Sequence, residues 1–373
     1  MKKYLTLFMA VVLLLATAAG CAAPAATAPT PAPAATEAPA ATEAPSATPA
    51  EPEKPAYDRL TVYSALPDEE LPTYFNAFEK DTGIKVDYVR LSAGEMLARV
   101  TAEKDNPQAS LMYGGSSDTY IAANKEGLLD AYQSPELSNV PAEYHDPQGV
   151  WNPIYVGAIC FACNKDWFTE KGLAYPASWS DLLKPEFKGQ VSMAHPTTSG
   201  TSYTVLATIM QLMGEEQGWA YFDKLNANVR QYTKAGAAPP QQAALGEAAI
   251  AVTFSHDGLK PAREGYPIEL SFPSDGTGFE VGAIALLKGG PAQEVDNAKR
   301  FIDWSMSKRG QELYIDSESN RMPVNSTAAV TEGLIDLSTL AIIDYDAVWA
   351  GENKKKLQEE FVAKVDNAGN LLQ

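Results

Sequence analysis

Apolar and polar positions alternate along this chain in two distinct periods. Arg59-Leu60-Thr61-Val62-Tyr63-Ser64, rich in apolar and β-prone residues, reads as a strand. Glu69 to Thr82 places Leu71, Tyr74, Phe75 and Phe78 on one face at helical spacing, and Gly83 closes the helix. Ile84 to Leu91 is a second strand. Ser92-Ala93-Gly94 then caps a helix over 95–104. Ala109 to Tyr113 is a third strand, and Gly114-Gly115-Ser116-Ser117-Asp118 opens another helix. Helices follow at 201–213 and 240–245, then strands at 248–254 and 281–287, and helices at 297–307 and 310–314. Strands that alternate with helices across short joins predict a parallel α/β sheet.

Two stretches stand outside this pattern. Met1-Lys2-Lys3, the apolar run Leu5 to Ala16 and the small residues Thr17 to Gly20 form a secretory leader. Its apolar core is too short for a permanent membrane span. Ala22 to Pro55 is almost wholly Ala, Pro, Thr and Glu, with Ala-Thr-Glu-Ala-Pro at 35–39 and again at 41–45. Such a segment buries too little apolar surface to offset its ordering entropy, and its prolines favour an extended spacer. The folded part therefore starts near Tyr57 and is long enough for two lobes. The formal charge is −18, and two lysines fewer after loss of the leader make it −20. An acidic surface argues against nucleic acid and against an anionic membrane face as partners.

Candidate chemistry lies at strand ends. Strand one ends at Ser64, strand two at Ser92, and strand three at Gly115-Ser116; His195-Pro196-Thr197-Thr198-Ser199-Gly200-Thr201 precedes an apolar helix in the second half. In an open parallel sheet the carboxyl ends of the strands line one edge, where ligands bind. Helix N-termini there present free N–H groups and partial positive charge, so several aimed at one point make an anion site without any lysine or arginine. Phe254-Ser255-His256-Asp257 ends one later strand and Glu280 opens another, where carboxylates suit sugar hydroxyls, an amine or a cation. Asp275 reads as an exposed turn.

Other chemistry is thinly supported. Cys160 and Cys163 lie in the apolar run 156–164, which reads as a buried strand. Positions i and i+3 of a strand face opposite ways, so these thiols are expected to be inert. The three histidines, His145, His195 and His256, build no H-E-x-x-H, and the chain has no G-x-S-x-G and no P-loop lysine. His195 reads as structural. No cofactor, catalytic residue or resident metal is expected.

The leader ends at Cys21 and resembles the lipobox of bacterial lipoproteins, which implies an exported chain (residues 1–20 removed) held by lipid on Cys21, with 21–56 as tether. The folded part resembles bacterial ABC-importer solute-binding lipoproteins of the ferric-iron, hexose-phosphate and 2-aminoethylphosphonate group. The resemblance rests on Leu60 to Ser64, Phe78 to Val86, Gly114 to Asp118, Ala177 to Leu183 and Gly276 to Gly282. It implies a type II periplasmic-binding-protein fold. Two lobes would each have a central, mostly parallel sheet flanked by helices, with hinge strands near 156–158 and 280–283 and a third crossing beyond Trp304. The lobes would be 58–157 plus 283–307 and 158–282 plus 308–373.

By similarity to the hexose-phosphate binders, Asp257 and Glu280 would hold sugar hydroxyls beside His256. Ser64, Ser92, Gly115, Ser116, Thr197, Thr198, Ser199, Gly200 and Thr201 would surround the phosphate. The adjacent tyrosines of ferric-iron binders are missing, since that place reads Phe254-Ser255-His256-Asp257. The expected function is a non-enzymatic monomer on the outer face of the cell membrane or in a periplasm. It would deliver a small phosphorylated solute to an ABC permease with a cytoplasmic ATPase. Iron or an iron chelate, 2-aminoethylphosphonate, and secreted phosphatase activity are the rivals.

Overall fold

A computed structural model describes residues 56–366. The leader, Cys21 and all of the tether but Ala56 lie outside the described residues. The chain runs β1 (Arg59–Ser64), α1 (Leu71–Thr82), β2 (Lys85–Arg90), α2 (Ala93–Ala102), β3 (Leu111–Ser116), α3 (Ser117–Lys125) and β4 (Leu129–Asp130). It continues through β5 (Asn152–Asn164), α4 (Lys165–Lys171), β6 (Val191–Ala194), α5 (Gly200–Met213), α6 (Glu215–Asn226) and β7 (Val229–Thr233). Next come α7 (Ala238–Ala244), β8 (Ile250–Phe254), α8 (Ser255–Arg263), β9 (Ile268–Ser271) and β10 (Phe279–Leu287). It closes with α9 (Val295–Met306), α10 (Lys308–Asp316), β11 (Met322–Pro323) and α11 (Ala347–Lys364).

The sheet order is β2-β1-β3-β10-β5-β8-β6-β7. The flanking strands are parallel: β1 to β2 and β3, and β6 to β7 and β8. The crossing strands β10 and β5 run antiparallel to their neighbours. All 13 residues of β5 are buried. It pairs with β10 as far as Ala158, then with β8 from Ile159 to Cys163. One strand thus belongs to both halves of the sheet, and the change of partner lies beside the site described below.

Each half has its own core. Leu60, Val62, Phe78, Tyr113 and Phe301 pack on one face of the first half, and Met96, Met112, Tyr120 and Trp151 on the other. Phe161, Trp179, Tyr203, Phe222 and Phe361 fill the second. The stretch 308–324, placed in the second lobe by the sequence expectation, packs into the first core through Leu313, Tyr314 and Val324. Helix α1 buries Leu71, Tyr74, Phe75 and Phe78 and stops at Gly83, whose φ of 75° a side chain rarely adopts. Cys160 and Cys163 are free and buried. Cys163 sits in the second core while Cys160 lies against Gly258 of α8, and burial pushes both thiols up.

Candidate functional site

The carboxyl ends of β1, β2, β3 and β8 and the starts of α2, α3, α5, α7 and α8 converge on one cleft. The first wall comes from Ala65 and Pro67 after β1, Arg90 at the end of β2, Ser92 and Ala93 at the start of α2, and Gly115-Ser116 ending β3. The Ser92 hydroxyl donates to Glu95 Oε2 (2.8 Å), and the Ser92 N–H donates to the same oxygen (3.0 Å). This capping box fixes the start of α2 against the cleft.

The opposite wall is Ser199-Gly200-Thr201 at the start of α5 and Gly236-Ala237 just before α7. Ser199 accepts the Ser202 N–H at 3.3 Å as the cap of α5. Gly236 is required by close approach, since a Cβ there would fall 2.0 Å from Thr201 Oγ1. His195 braces this loop from beneath. Its Nδ1 lies 2.7 Å from Thr197 Oγ1 and accepts the Thr197 N–H at 3.3 Å. A backbone N–H only donates, so the ring proton belongs on Nε2, 3.6 Å from Asp366. Burial pushes the His195 imidazole below its usual value.

The two walls touch. Gly94 N–H donates to Thr198 O at 2.8 Å, and a Cβ at Gly94 would fall 2.3 Å from Thr197 O. Lys234 meets Glu95 at 2.5 Å and Lys260 meets Glu69 at 2.7 Å across the rim. The cleft is therefore closed in this structure.

One end of the cleft is charged. Glu280 on β10, His256 and Asp257 at the start of α8, Tyr155 on β5 and Arg321 before β11 meet there. Ser116 donates to Glu280 Oε2 at 2.6 Å, while Oε1 has no partner among the described residues. Burial pushes the Glu280 carboxyl up to about 8. Asp257 is pushed up to about 6 by burial, and Arg321 opposes the rise. Burial, reinforced by Arg321, holds His256 well below its usual value. Its Nε2 lies 3.7 Å from Glu280 and 3.8 Å from Asp257, and its Nδ1 is unpartnered. Arg321, only 2% exposed, pairs with buried Glu70 and stacks 5.0 Å over Tyr155. At neutral pH the end presents one ionised and one protonated carboxyl, a neutral imidazole and a guanidinium, a set that suits hydroxyl groups.

Of the residues expected from sequence, Ser92, Gly115, Ser116, Ser199, Gly200, Thr201, His256, Asp257 and Glu280 line the cleft. Ser64, Thr197 and Thr198 do not. The Ser64 hydroxyl donates to Tyr113 O and accepts Leu66 N–H inside the first half. Thr197 holds His195, and Thr198 bonds the His195 and Lys234 carbonyls. The expectation of a site without lysine or arginine is corrected, since Arg90 and Arg321 both line it. Arg90 closes the strand just before Ser92, so the rule used for the serines reaches it too. Gly236 is betrayed by the Pro239-Pro240 helix start. Arg321 carries no local signal.

A family model described as bacterial extracellular solute-binding protein matches residues 109–349. The chain belongs to that family. This solute-binding protein is 35% identical to the periplasmic binding protein AfuA of Actinobacillus pleuropneumoniae, solved with exogenous fructose-6-phosphate bound. The TM-score is 0.80, over 83% of this chain and 99% of that one. It is 38% identical to an uncharacterized protein of Haemophilus influenzae over 82% of this chain and 90% of that one. A putative 2-aminoethylphosphonate-binding periplasmic protein of Salmonella typhimurium is 28% identical over 76% of this chain and 84% of its own. The likeness to AfuA and the crossing strands make the fold a type II periplasmic binding protein.

Proposed function

We propose that this protein is the receptor of an ABC importer and captures a small phosphorylated organic solute, a sugar phosphate above others. The observation that carries this reading is the meeting of two unlike ends in one closed cleft. Helix starts from both walls supply N–H groups, hydroxyls and partial positive charge, which hold a phosphate. Buried Glu280 and His256 and partly buried Asp257 face the remainder of the solute, where hydroxyls satisfy them. The 35% identity to a protein solved with a hexose phosphate supports the same reading.

The two halves act as lobes. Residues 58–157 and 283–307 form one and 158–282 with the C-terminal region the other, with 308–324 following the first core on which it packs. Closure excludes water and strengthens each hydrogen bond to the anion, and a permease with a cytoplasmic ATPase recognises the closed form. The mature monomer is anchored through lipid on Cys21, with the Ala/Pro/Thr/Glu segment as spacer. It is a carrier, not a catalyst, and turns over no phosphoester.

A thermal-shift series on lipid-free protein tests this. Hexose phosphates should raise the melting temperature more than hexoses, inorganic phosphate, 2-aminoethylphosphonate or ferric citrate. Stabilisation by ferric citrate alone, with purified protein coloured by a charge-transfer band, would overturn it.

A further inference from the structure

Arg321 reaches the cleft from the segment between α10 and β11, on the first core. It faces Asp257 of α8 from across the cleft, Nη2 to Oδ1 4.0 Å. Glu70, which stands behind it, takes Nη1 and does not line the cleft. The guanidinium Nε is buried and has no partner among the described residues. Arg321 therefore brings a fixed cation and an unmet donor to the same end of the cleft as the carboxyls.

Resting on the reading above, we infer that Arg321 sets the solute class: it makes this end take a neutral, hydroxyl-bearing group and refuse an ammonium group. An ammonium ion buried here needs a carboxylate it does not share. Asp257 is already shared with Arg321. Glu280, held protonated by burial, offers no charge at neutral pH. The guanidinium itself repels a second cation at close range. A hydroxyl meets none of these penalties. It donates to Asp257 and accepts from the free Nε–H of Arg321, and both groups are satisfied. The same anion-binding end thus serves two solute classes, and one side chain separates them.

The groups facing Asp257 are Arg321, His256 and Lys260, Glu69 and Glu70 at the entry to α1, Glu280 of β10, and Tyr155 and Cys160 of β5. Among the nearby cations Arg321 opposes the rise of Asp257 most, so its removal moves the Asp257 titration to higher pH.

The experiment compares wild type, Arg321→Lys, Arg321→Gln and the charge-balanced double variant Arg321→Gln/Glu70→Gln. The double variant also removes Glu70, the buried carboxylate that Arg321 pairs, and serves if the single one folds poorly. Calorimetry is run with fructose 6-phosphate and with 2-aminoethylphosphonate, and the Asp257 carboxyl is titrated by NMR without ligand. Wild type should prefer fructose 6-phosphate by about tenfold or more. The two Gln variants should bind it about tenfold more weakly and bind 2-aminoethylphosphonate more tightly, while Arg321→Lys keeps the preference. A Gln variant with the wild-type ratio overturns the inference. If wild type binds neither probe, the reading of the cleft falls and the ligand-free titration alone judges Arg321. An upward move of the Asp257 midpoint supports its action on Asp257, and an unmoved midpoint overturns it.

Discussion

At one end of the cleft the lining groups are backbone N–H, glycine and hydroxyl, with Arg90 beside them; at the other, buried Arg321, Glu280 and His256 share a corner with partly buried Asp257. The first end gathers positive potential from helix starts that must exist in any case, so it needs no buried ion. The second end holds ionisable groups away from water and is stable only because each has a partner or loses its charge. Arg321 has Glu70, Glu280 is held protonated and His256 stays neutral. On the proposed function, the first end takes any phosphate, and discrimination between phosphate-bearing solutes belongs to the second.

The largest expected effect comes from blocking contact between the walls. Gly94→Ala puts a methyl 2.3 Å from Thr197 O, so affinity for fructose 6-phosphate should fall about 100-fold, a loss of roughly 2.7 kcal/mol. Thermal stability without ligand should barely change, because the clash arises only on closure. Unchanged affinity would mean that binding does not need the closed cleft. Next, Asp257→Asn keeps shape and removes the charged acceptor. Hexose-phosphate binding should weaken by about 2 kcal/mol, roughly 30-fold, while binding of inorganic phosphate is unchanged. Equal losses for both would erase the contrast between the two ends. Ser199→Ala removes the cap of α5, and about 1 kcal/mol of binding, near fivefold, should be lost for every phosphate-bearing ligand alike.

The smallest effect is on stability. The folded Glu280 carboxyl releases its proton near 8 and the unfolded one near 4.5. A raised carboxyl stabilises fully below its unfolded value, and that contribution is lost as pH rises through its folded value. Melting curves of Glu280→Gln and wild type should therefore coincide near pH 4. The variant should melt higher by about 2 °C or more at pH 9. Parallel curves at both pH values would show that Glu280 is not held protonated.

Much of the first end was legible in the sequence, because capping is local: a serine before an apolar-periodic run sits where α2 and α5 begin. Ser64 satisfied the same rule and still lies off the cleft, since its hydroxyl turns back to the Tyr113 carbonyl of the neighbouring strand. The parallel flanks followed from alternation of strand and helix. The antiparallel crossing by β5 and β10 does not follow from local pattern and came only with the family resemblance. Arg321 was invisible because its partners lie 251 residues away at Glu70 and across the cleft at Asp257. Helix α11 escaped as well. Its Lys354-Lys355-Lys356 run looks solvated, yet Lys354 is 2% exposed, 2.8 Å from Asp118 and packed on the Tyr203 ring. Tertiary partners decide which charge is buried, and no window of sequence contains them.

The central claim is that helix starts from both walls grip a phosphate while buried carboxyls hold the rest of the same molecule. Calorimetric titration of ligand-free protein with fructose 6-phosphate, fructose and inorganic phosphate tests it directly. The account predicts tight one-to-one binding of the ester, and binding at least 100-fold weaker for fructose and for phosphate alone. Fructose binding as tightly as its phosphate, or no heat from any phosphate-bearing ligand, would contradict it.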